Sequence, residues 1–237
     1  MERGTAPSRE RAQALVLAGK VLVNEQKVEK PGTLVAADSA VRLLGEGLKY
    51  VSRGGLKLER ALEHWNIDAA GKTCLDVGAS TGGFTDCLLQ HGAARVIAVD
   101  TGQGQIAFGL RRDPRVRLLE KTNARYLTPE QVGGPVDLVA LDVSFISATL
   151  VLPAVVSAAF SETRSKGEVL VLVKPQFEVG REHVGKGGIV RDLQAQLQAV
   201  ERVRAAMVHL GALATDVIES PILGAEGNRE FLLYGKF

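Results

Sequence analysis

The sequence has little cysteine and histidine, few aromatic residues, and no long uninterrupted apolar run. Two cysteines occur in 237 residues. Cys74 lies in a strand-like run and Cys87 in a helix-like run, and neither has a thiol or histidine nearby at a metal-ligand spacing. The four histidines each stand alone, away from any serine or cysteine arrangement typical of nucleophilic catalysis. We therefore expect packed thiols and no metal site.

A membrane location is also disfavoured. No stretch approaches the ~18 to 20 uninterrupted apolar residues of a membrane-spanning helix. The first residues, MERGTAPSRE, lack the basic and then apolar pattern of a signal peptide. The sequence therefore predicts a cytoplasmic protein with no membrane contact.

Positive charge is concentrated at the front of the chain. Residues 1–57 hold ten Lys or Arg against six Asp or Glu, whereas the remaining residues hold 19 against 21. The net charge of +2 therefore hides a basic segment followed by a slightly acidic one. Such a segment suggests a polyanionic partner, although a solvated charged face has the same composition.

The first part of the chain predicts a small α+β unit. Ser8 can cap a helix that runs to about Ala18 and is closed by Gly19. Three short alternating segments, KVLVN, QKVEK and VRLL, then predict strands separated by turns. We assign residues 1–46 to this domain and 47–55 to a linker.

Residues 56–237 predict a larger domain in which strands and helices alternate. Such alternation is typical of a parallel sheet covered by helices on both faces. The predicted strands are 73–77, 95–99, 116–119, 136–141, 168–173, 213–219 and 230–235. The predicted helices are 56–64, 83–91, 105–111, 147–160 and 192–210.

The segment LDVGASTGGFT follows the first strand of the predicted sheet. Gly78 allows the backbone to turn, and Gly82 with Gly83 allows a ligand to approach main-chain N–H groups. A dinucleotide fingerprint, G-x-G-x-x-G, requires a glycine where this sequence has Ser80. The acid before the glycines, Asp76, disfavours pyrophosphate and suits the ammonium group of an amino-acid-like ligand. The segment therefore predicts the methionine moiety of S-adenosylmethionine as ligand.

The next two strands end on side chains of compatible chemistry. Asp100 ends the second strand, where an acid can hold ribose hydroxyls, and Asn123 follows the third, where an amide can bond an adenine edge. Ligands of parallel sheets lie beyond the C-terminal ends of the strands, so these ends predict one cofactor site. We assign that site to Asp76, Gly78, Ser80, Thr81, Gly82, Gly83, Phe84, Asp100, Asn123 and Asp142.

Two further strands predict the reacting end of the site. Asp142 ends the fourth strand in VALDVSFIS, and Lys174 ends the fifth in LVLVKP. In a doubly wound sheet both strands lie near the first, so both side chains should point towards a methyl donor bound there. A lysine beside a carboxylate can orient or deprotonate a hydroxyl. A lysine that reaches out from a strand end to pair with any acid is the alternative.

Six motifs in this chain resemble the TlyA family, and in chain order they are SRGGLKL, LDVGASTGGFT, KTNAR, LDVSFIS, VKPQFEVG and GNREFLL. That family joins an S4-type RNA-binding domain to a methyltransferase domain similar to the FtsJ/RrmJ ribose methyltransferases. The resemblance covers nearly the whole chain. It implies an α/β fold with a mostly parallel, Rossmann-like class I methyltransferase sheet and a small N-terminal α+β S4-like domain.

The resemblance also implies a catalytic tetrad of Lys57, Asp142, Lys174 and Glu230. Glu226 is a nearby rival for the last place, but Glu230 stands in the matching GNxE frame. We assign Lys174 as the base, Asp142 as its partner and positioner of the methyl group, and Lys57 with Glu230 as substrate orienters.

The implied activity is 2′-O-methylation of cytidine in ribosomal RNA, on the large subunit and in some members also on the small subunit. S-adenosylmethionine is the implied cofactor and no metal is required. Naked RNA and an assembled ribosomal subunit both stay open as the substrate, and the oligomeric state is open too.

The front segment matches S4 domains through SRERAQALVLAGKVLVNEQKV. Its candidate phosphate contacts are Arg9, Arg11, Lys20 and Lys27, to which we add Arg53. Phosphate contacts give affinity and position but little sequence discrimination. S4 domains usually begin with a further helix, and only seven residues precede Ser8 here. We therefore expect either a truncated start or an abbreviated domain.

Two other features have simple expectations. Trp65 and Phe84 are predicted as packing aromatics and not as base-stacking platforms. The glycine-rich connection 178–192 follows Lys174, and its length favours a substrate-side flap ordered by RNA over a segment without function.

Three other functions compete with methyl transfer. An RNA-binding protein with an idle transferase fold would fail to bind the cofactor. A membrane-lytic protein, suggested by the haemolysin label of the family, would cause liposome leakage that survives Lys174→Ala. A nicotinamide-dependent oxidoreductase is disfavoured by Asp76 and Ser80.

Overall fold

A computed structural model describes residues 6, 8–24, 26–36, 39–43, 49–160, 167–224 and 227–237. The chain forms two compact units, Met1–Lys49 and Tyr50–Phe237. The division falls inside the segment 47–55 that the sequence suggested as a linker, and the first helix of the second unit already begins at Gly54.

The first unit is a helix followed by a three-stranded antiparallel sheet. Its elements are α1 (Arg9–Leu17), β1 (Val21–Val23), β2 (Gln26–Val28) and β3 (Val41–Leu43), with strand order β2-β1-β3. The Ser8 hydroxyl accepts the Arg11 N–H at 3.2 Å, so this serine caps α1 as predicted. A small core of Ala6, Leu15 and Val21 holds the helix on the sheet.

The second unit is built on a seven-stranded sheet. Its strands are β4 (Thr73–Val77), β5 (Arg95–Val99), β6 (Val116–Leu119), β7 (Leu138–Leu141), β8 (Glu168–Val173), β9 (Ala214–Glu219) and β10 (Phe231–Lys236). Their order is β6-β5-β4-β7-β8-β10-β9. The five strands from β6 to β8 in this order are parallel to one another, whereas β10 runs antiparallel to both β8 and β9. The prediction of a mostly parallel, Rossmann-like sheet is confirmed.

Helices cover both faces of this sheet. They are α2 (Gly54–His64), α3 (Gly83–Gln90), α4 (Phe108–Arg111), α5 (Pro129–Val132), α6 (Ala148–Ala159), α7 (Pro175–Glu178) and α8 (Leu193–His209). Short 3-10 turns add Ala124–Tyr126, Arg181–His183 and Lys186–Gly188.

Alternating strand residues divide the core into two layers. Odd-numbered residues such as Leu75 and Leu141 pack with α6 and α8 on one face. Even-numbered residues such as Cys74 and Leu172 pack with α2 and α3 on the other. Because successive strand side chains point to opposite faces, this parity also decides which side of the sheet a polar strand-end residue serves.

Both cysteines are buried, as predicted, and neither forms a disulfide. The expectation that no histidine lies near them is wrong for Cys87, whose Sγ is 3.7 Å from Nδ1 of His91, one helical turn further on. Burial raises the pKa of the Cys74 thiol to about 12. Trp65 is also a packing residue: it stacks on Tyr234 with ring centroids 5.3 Å apart and donates its indole N–H to Asp216 Oδ2 at 2.8 Å.

Candidate active site

The four residues of the implied tetrad meet around one cavity. Lys174 Nζ lies 2.6 Å from Asp142 Oδ1. Lys57 Nζ donates to Glu230 Oε2, and these two side chains are 11% and 3% exposed. All four residues line a cavity of about 520 Å³. Two ion pairs therefore stand on the walls of a single cleft.

The sheet explains why these residues converge. Asp142 and Lys174 follow β7 and β8 directly, and both carry the even numbers of the face covered by α2 and α3. Strand β10 runs in the opposite direction, with Phe231 opposite Val173, so Glu230 before its start lies beside Lys174 after the end of β8. Lys57 is on α2, which packs on this face.

Lys174 has a second partner that the sequence did not suggest. Its Nζ donates to Ser144 Oγ at 2.6 Å, in addition to the ion pair with Asp142. The lysine is therefore held from two points of the loop that follows β7. These two contacts fix the position of Nζ. A residue that acts on one particular atom of a substrate needs such a fixed position.

A second cavity adjoins the first. It has a volume of about 410 Å³, and Asp100 and Asn123 are among its lining residues. The two cavities share the residues Gly78, Ser80, Asp142, Ser144 and Phe145. One continuous site therefore runs from the ends of β5 and β6, past the glycine-rich loop, to the two ion pairs.

Asp100 organises the glycine-rich loop. Its Oδ2 accepts the Ser80 N–H at 2.8 Å and its Oδ1 accepts the Gly102 N–H at 2.7 Å. Ser80 has φ +49°, a left-handed conformation that is uncommon for serine and that this hydrogen bond supports. Asn123 caps a 3-10 turn by accepting the Arg125 N–H at 3.0 Å.

Asp76 lies beneath the loop and lines neither cavity. It is fully buried, and its Oδ2 accepts the Thr85 hydroxyl at 2.6 Å. Its Oδ1 has no hydrogen-bond partner within the described part of the chain. Burial raises the pKa of this carboxyl to about 7, although the bond from Thr85 opposes the shift. Direct contact between Asp76 and a ligand ammonium group stays a prediction.

The glycines of the loop make room for protein as well as for a ligand. Gly78 has φ +89°, and a Cβ atom there would lie 2.3 Å from the main-chain oxygen of Asp142. A Cβ at Gly82 would meet the side chain of Leu110 at 2.3 Å, and one at Gly83 would meet Ser52 Oγ at 2.2 Å. Close packing is therefore one reason for glycine at these positions, and Gly83 also lines the larger cavity. The approach of a ligand to the main chain of Gly82 and Gly83 stays a prediction.

Several lining residues were not singled out from the sequence. Phe145 is 91% exposed, has φ +65°, and lies with its ring centroid 5.3 Å from that of Phe177. The motif DVSFIS contains it, and the available signal was an aromatic residue three positions after the strand-end acid Asp142. Asn228 also lines the cleft, and its side chain bonds Val190 and Gly188 of the connection 178–192.

The remaining predicted residues take the following places. Thr81 and Phe84 line the larger cavity, and so does the exposed Arg53. Arg9, Lys20 and Lys27 are exposed and Arg11 is half-buried in the first unit. Glu226 lies outside the described residues.

The described residues contain no group of His, Cys, Asp and Glu side chains that could hold a metal ion. Within the same ranges, no helix combines the length and apolar character needed to cross a membrane.

Comparisons with known proteins agree with this architecture. Residues 50–237 match the FtsJ-like methyltransferase model, and residues 2–41 match the S4 domain model. The chain is 48% identical over 235 residues to the "16S/23S rRNA (cytidine-2'-O)-methyltransferase TlyA" of Mycobacterium tuberculosis, covering 99% of this chain and 86% of that protein.

Two further relatives carry a different label. "Hemolysin A" of Brachyspira hyodysenteriae is 39% identical over 232 residues, covering 98% of this chain and 95% of that protein. A solved structure titled "Putative hemolysin from Streptococcus thermophilus" is 43% identical with a TM-score of 0.76, covering 99% of this chain and 85% of that one. Since both domain models and full-length relatives match, the chain belongs to the TlyA family, which joins an S4 domain to an FtsJ-like methyltransferase domain.

Proposed function

We propose that this protein transfers a methyl group from S-adenosylmethionine to the ribose 2′-hydroxyl of cytidine in ribosomal RNA. One observation carries the proposal: the pairs Lys57–Glu230 and Lys174–Asp142 line a cleft that continues into the cavity of Asp100 and Asn123. The first part suits a polar reaction on a hydroxyl, and the second suits a nucleoside.

The residues at the strand ends fit S-adenosylmethionine. Asp100 is an acid at the end of β5, where ribose hydroxyls are commonly held in such sheets, and Asn123 offers an amide next to it. The buried Oδ1 of Asp76 has no described partner, and this acid is available to attract a cation beside the loop. When bound, the cofactor supplies an electrophilic methyl group on a sulfonium ion.

The chain's own contribution is to place and activate the hydroxyl. The neutral amine form of Lys174 accepts the proton of the ribose 2′-hydroxyl as the oxygen becomes a nucleophile, and the neighbouring Asp142 carboxylate stabilises the ammonium group that forms. Asp142 and Ser144 hold Lys174 at 2.6 Å each, which keeps its Nζ directed into the cleft. Lys57 and Glu230 form the opposite pair and orient the ribose. In-line placement of this kind supplies a large part of the rate for a weakly acidic nucleophile.

The rim of the cleft suits a nucleotide base taken out of its stack. Phe145 presents an almost fully exposed ring beside Phe177 at the junction of the two cavities. Aromatic rings stack on single-stranded bases with a contribution of about 1–3 kcal/mol per base. A cytidine held on this ring would bring its ribose towards Lys174.

Ribosomal RNA is the proposed partner because of the S4 match and the basic front segment. The Mycobacterium tuberculosis relative is named for both 16S and 23S RNA, so both subunits are targets to test. We place the protein in the cytoplasm, where its substrate is found.

The test is to map ribose methylation across ribosomal RNA from cells with and without the gene, and then to supply the purified protein with that RNA. We expect a 2′-O-methyl cytidine that depends on the gene, and its restoration in vitro by wild type but not by Lys174→Ala. Absence of S-adenosylmethionine binding in calorimetry would favour the idle-fold alternative. A methyl group on a base would contradict the assigned chemistry.

A further inference from the structure

Two chain segments build the catalytic wall of the cleft. The β7 loop, residues 142–148, contains Asp142, Ser144 and Phe145. The β8 turn, residues 174–178, contains Lys174 and Phe177. Lys174 contacts Asp142 and Ser144, and Phe177 packs on Phe145. The two segments therefore lie side by side from the cleft towards the interior.

Glu178 joins the inner ends of the same two segments. Its Oε2 accepts the Ser147 hydroxyl at 2.5 Å, and its Oε1 accepts the Ala148 N–H at 2.7 Å. The residue is only 3% exposed. Both oxygens of a buried acid at the end of the β8 turn are thus used to hold the end of the β7 loop.

The helix that follows the β7 loop favours this arrangement. Ser147 and Ala148 are the cap and first residue of α6, where unpaired N–H groups and the helix dipole favour a negative charge. Burial raises the pKa of Glu178, and the bonds from Ser147 and Ala148 oppose that shift. Arg202 of α8 donates to the main-chain oxygen of Glu178, so a third element fixes its position.

The β7 loop needs such an anchor because its conformation is unfavourable. Phe145 has φ +65°, a left-handed conformation that is unfavourable for a residue other than glycine. Such a residue persists only where its surroundings determine it. The contacts of Lys174 hold the outer end of the loop, and those of Glu178 hold its inner end.

We propose that Glu178 is a positioning residue for methyl transfer, holding the β7 loop against the β8 turn so that Asp142, Ser144 and Lys174 keep their spacing. The proposal rests on the proposed function. Glu178 lines neither cavity, so it acts through the residues that it holds and not on substrate or cofactor.

The test compares Glu178→Ala, Glu178→Gln and Ser147→Ala in the full chain. Glu178→Ala should lower kcat roughly 10- to 100-fold, because misplacement of about 1 Å can reduce a rate 100-fold. The affinity for S-adenosylmethionine and the KM for RNA should stay within about threefold of wild type. Glu178→Gln should keep most of kcat, since its amide oxygen can still accept from Ala148. Ser147→Ala, which removes one bond of two, should give an intermediate loss and serves if Glu178→Ala does not fold.

Asp137→Ala is the matched control. Asp137 Oδ2 accepts the Thr73 N–H at 2.9 Å at the N-terminal ends of β4 and β7, whereas the cleft lies at the C-terminal ends of the strands. Loss of this side chain therefore perturbs packing far from the cleft. An unchanged kcat in Glu178→Ala and Ser147→Ala would overturn the proposal. An equal loss of kcat in Asp137→Ala, with all variants assayed at the same interval below their Tm, would overturn it too.

Hydrogen exchange separates this proposal from the proposed function. If wild type transfers no methyl group, the function is wrong, but the anchor can still be measured at the Ala148 amide. Glu178→Ala should speed exchange in residues 142–148 at least tenfold while residues 73–77 keep their protection. Unchanged exchange in 142–148 would refute the anchor whatever the activity.

Discussion

The pair Lys57–Glu230 offers a way to separate stability from catalysis. Both side chains are nearly inaccessible, and Lys57 Nζ donates to Glu230 Oε2. Removing one partner of a buried ion pair leaves the other charge without compensation and costs about 3–5 kcal/mol. Replacing both by apolar residues of similar volume is often neutral or stabilising. We therefore expect Lys57→Met and Glu230→Met each to destabilise the protein, and the double variant to recover most of that loss.

The assay is unfolding monitored by fluorescence of Trp65, the only tryptophan in the chain. It stacks on Tyr234 within the same unit as the ion pair, so its emission reports on the relevant packing. For a chain of this size, about 2–4 °C of Tm is lost per kcal/mol. Each single variant should therefore melt roughly 6–20 °C below wild type, and the double variant close to wild type.

Methyl transfer should behave differently. The double variant should be stable and still inactive, because neither apolar side chain can orient a ribose. Single variants that lose less than about 1 kcal/mol, or a double variant as unstable as the sum of the singles, would show that the two charges are not coupled. A stable and fully active double variant would refute their role as orienters.

Three further predictions concern the cofactor, the base and the RNA. Lys174→Ala should abolish methylation with little effect on cofactor affinity in calorimetry, and retained turnover would contradict its role as base. The pKa of Asp76 is raised to about 7, so the folded chain holds a proton that the unfolded chain releases near pH 4. The free energy of unfolding should therefore fall as the pH rises from about 4 to about 7. The fall amounts to up to roughly 4 kcal/mol, at about 1.36 kcal/mol per unit of pKa difference between the folded and unfolded chain. Urea unfolding at several pH values should show this fall in wild type but not in Asp76→Asn, and parallel pH profiles for the two proteins would refute the raised pKa of Asp76. Asp76→Ala should weaken cofactor binding before it affects any other step. Arg9→Ala and Lys20→Ala should weaken RNA binding and flatten its salt dependence, and an unchanged slope would argue against S4-type phosphate contacts.

Most strands of the larger unit could be predicted from the sequence. The strands 73–77, 95–99, 116–119 and 168–173 have the predicted bounds. Three of them are largely buried apolar runs, whereas 116–119 is half-buried and includes Arg117, and a polar or turn residue follows each of the four. Pro129–Val132 and Pro175–Glu178 were missed as helices, since four residues are too few to show a helical period. The helix predicted near 105–111 covers only Phe108–Arg111, since a four-residue helix also shows too little periodicity to mark where it begins.

The site was predictable in its residue types and not in its pairings. Asp76, Asp100 and Asp142 stand at strand ends, and periodicity together with the rule for parallel sheets marks that edge from sequence alone. Lys57 and Glu230 are 173 residues apart, and only the family resemblance joined them before the fold was known.

The sequence by itself therefore determined the elements and the edge of the sheet that carries the chemistry, because both follow from local patterns of apolar and polar residues. Tertiary structure decided which charges pair. The reversed direction of β10 brings Glu230 beside the end of β8, and the packing of α2 places Lys57 against it. Glu178 is likewise an ordinary acid in the sequence, and it becomes an anchor only because the fold buries it beneath α6.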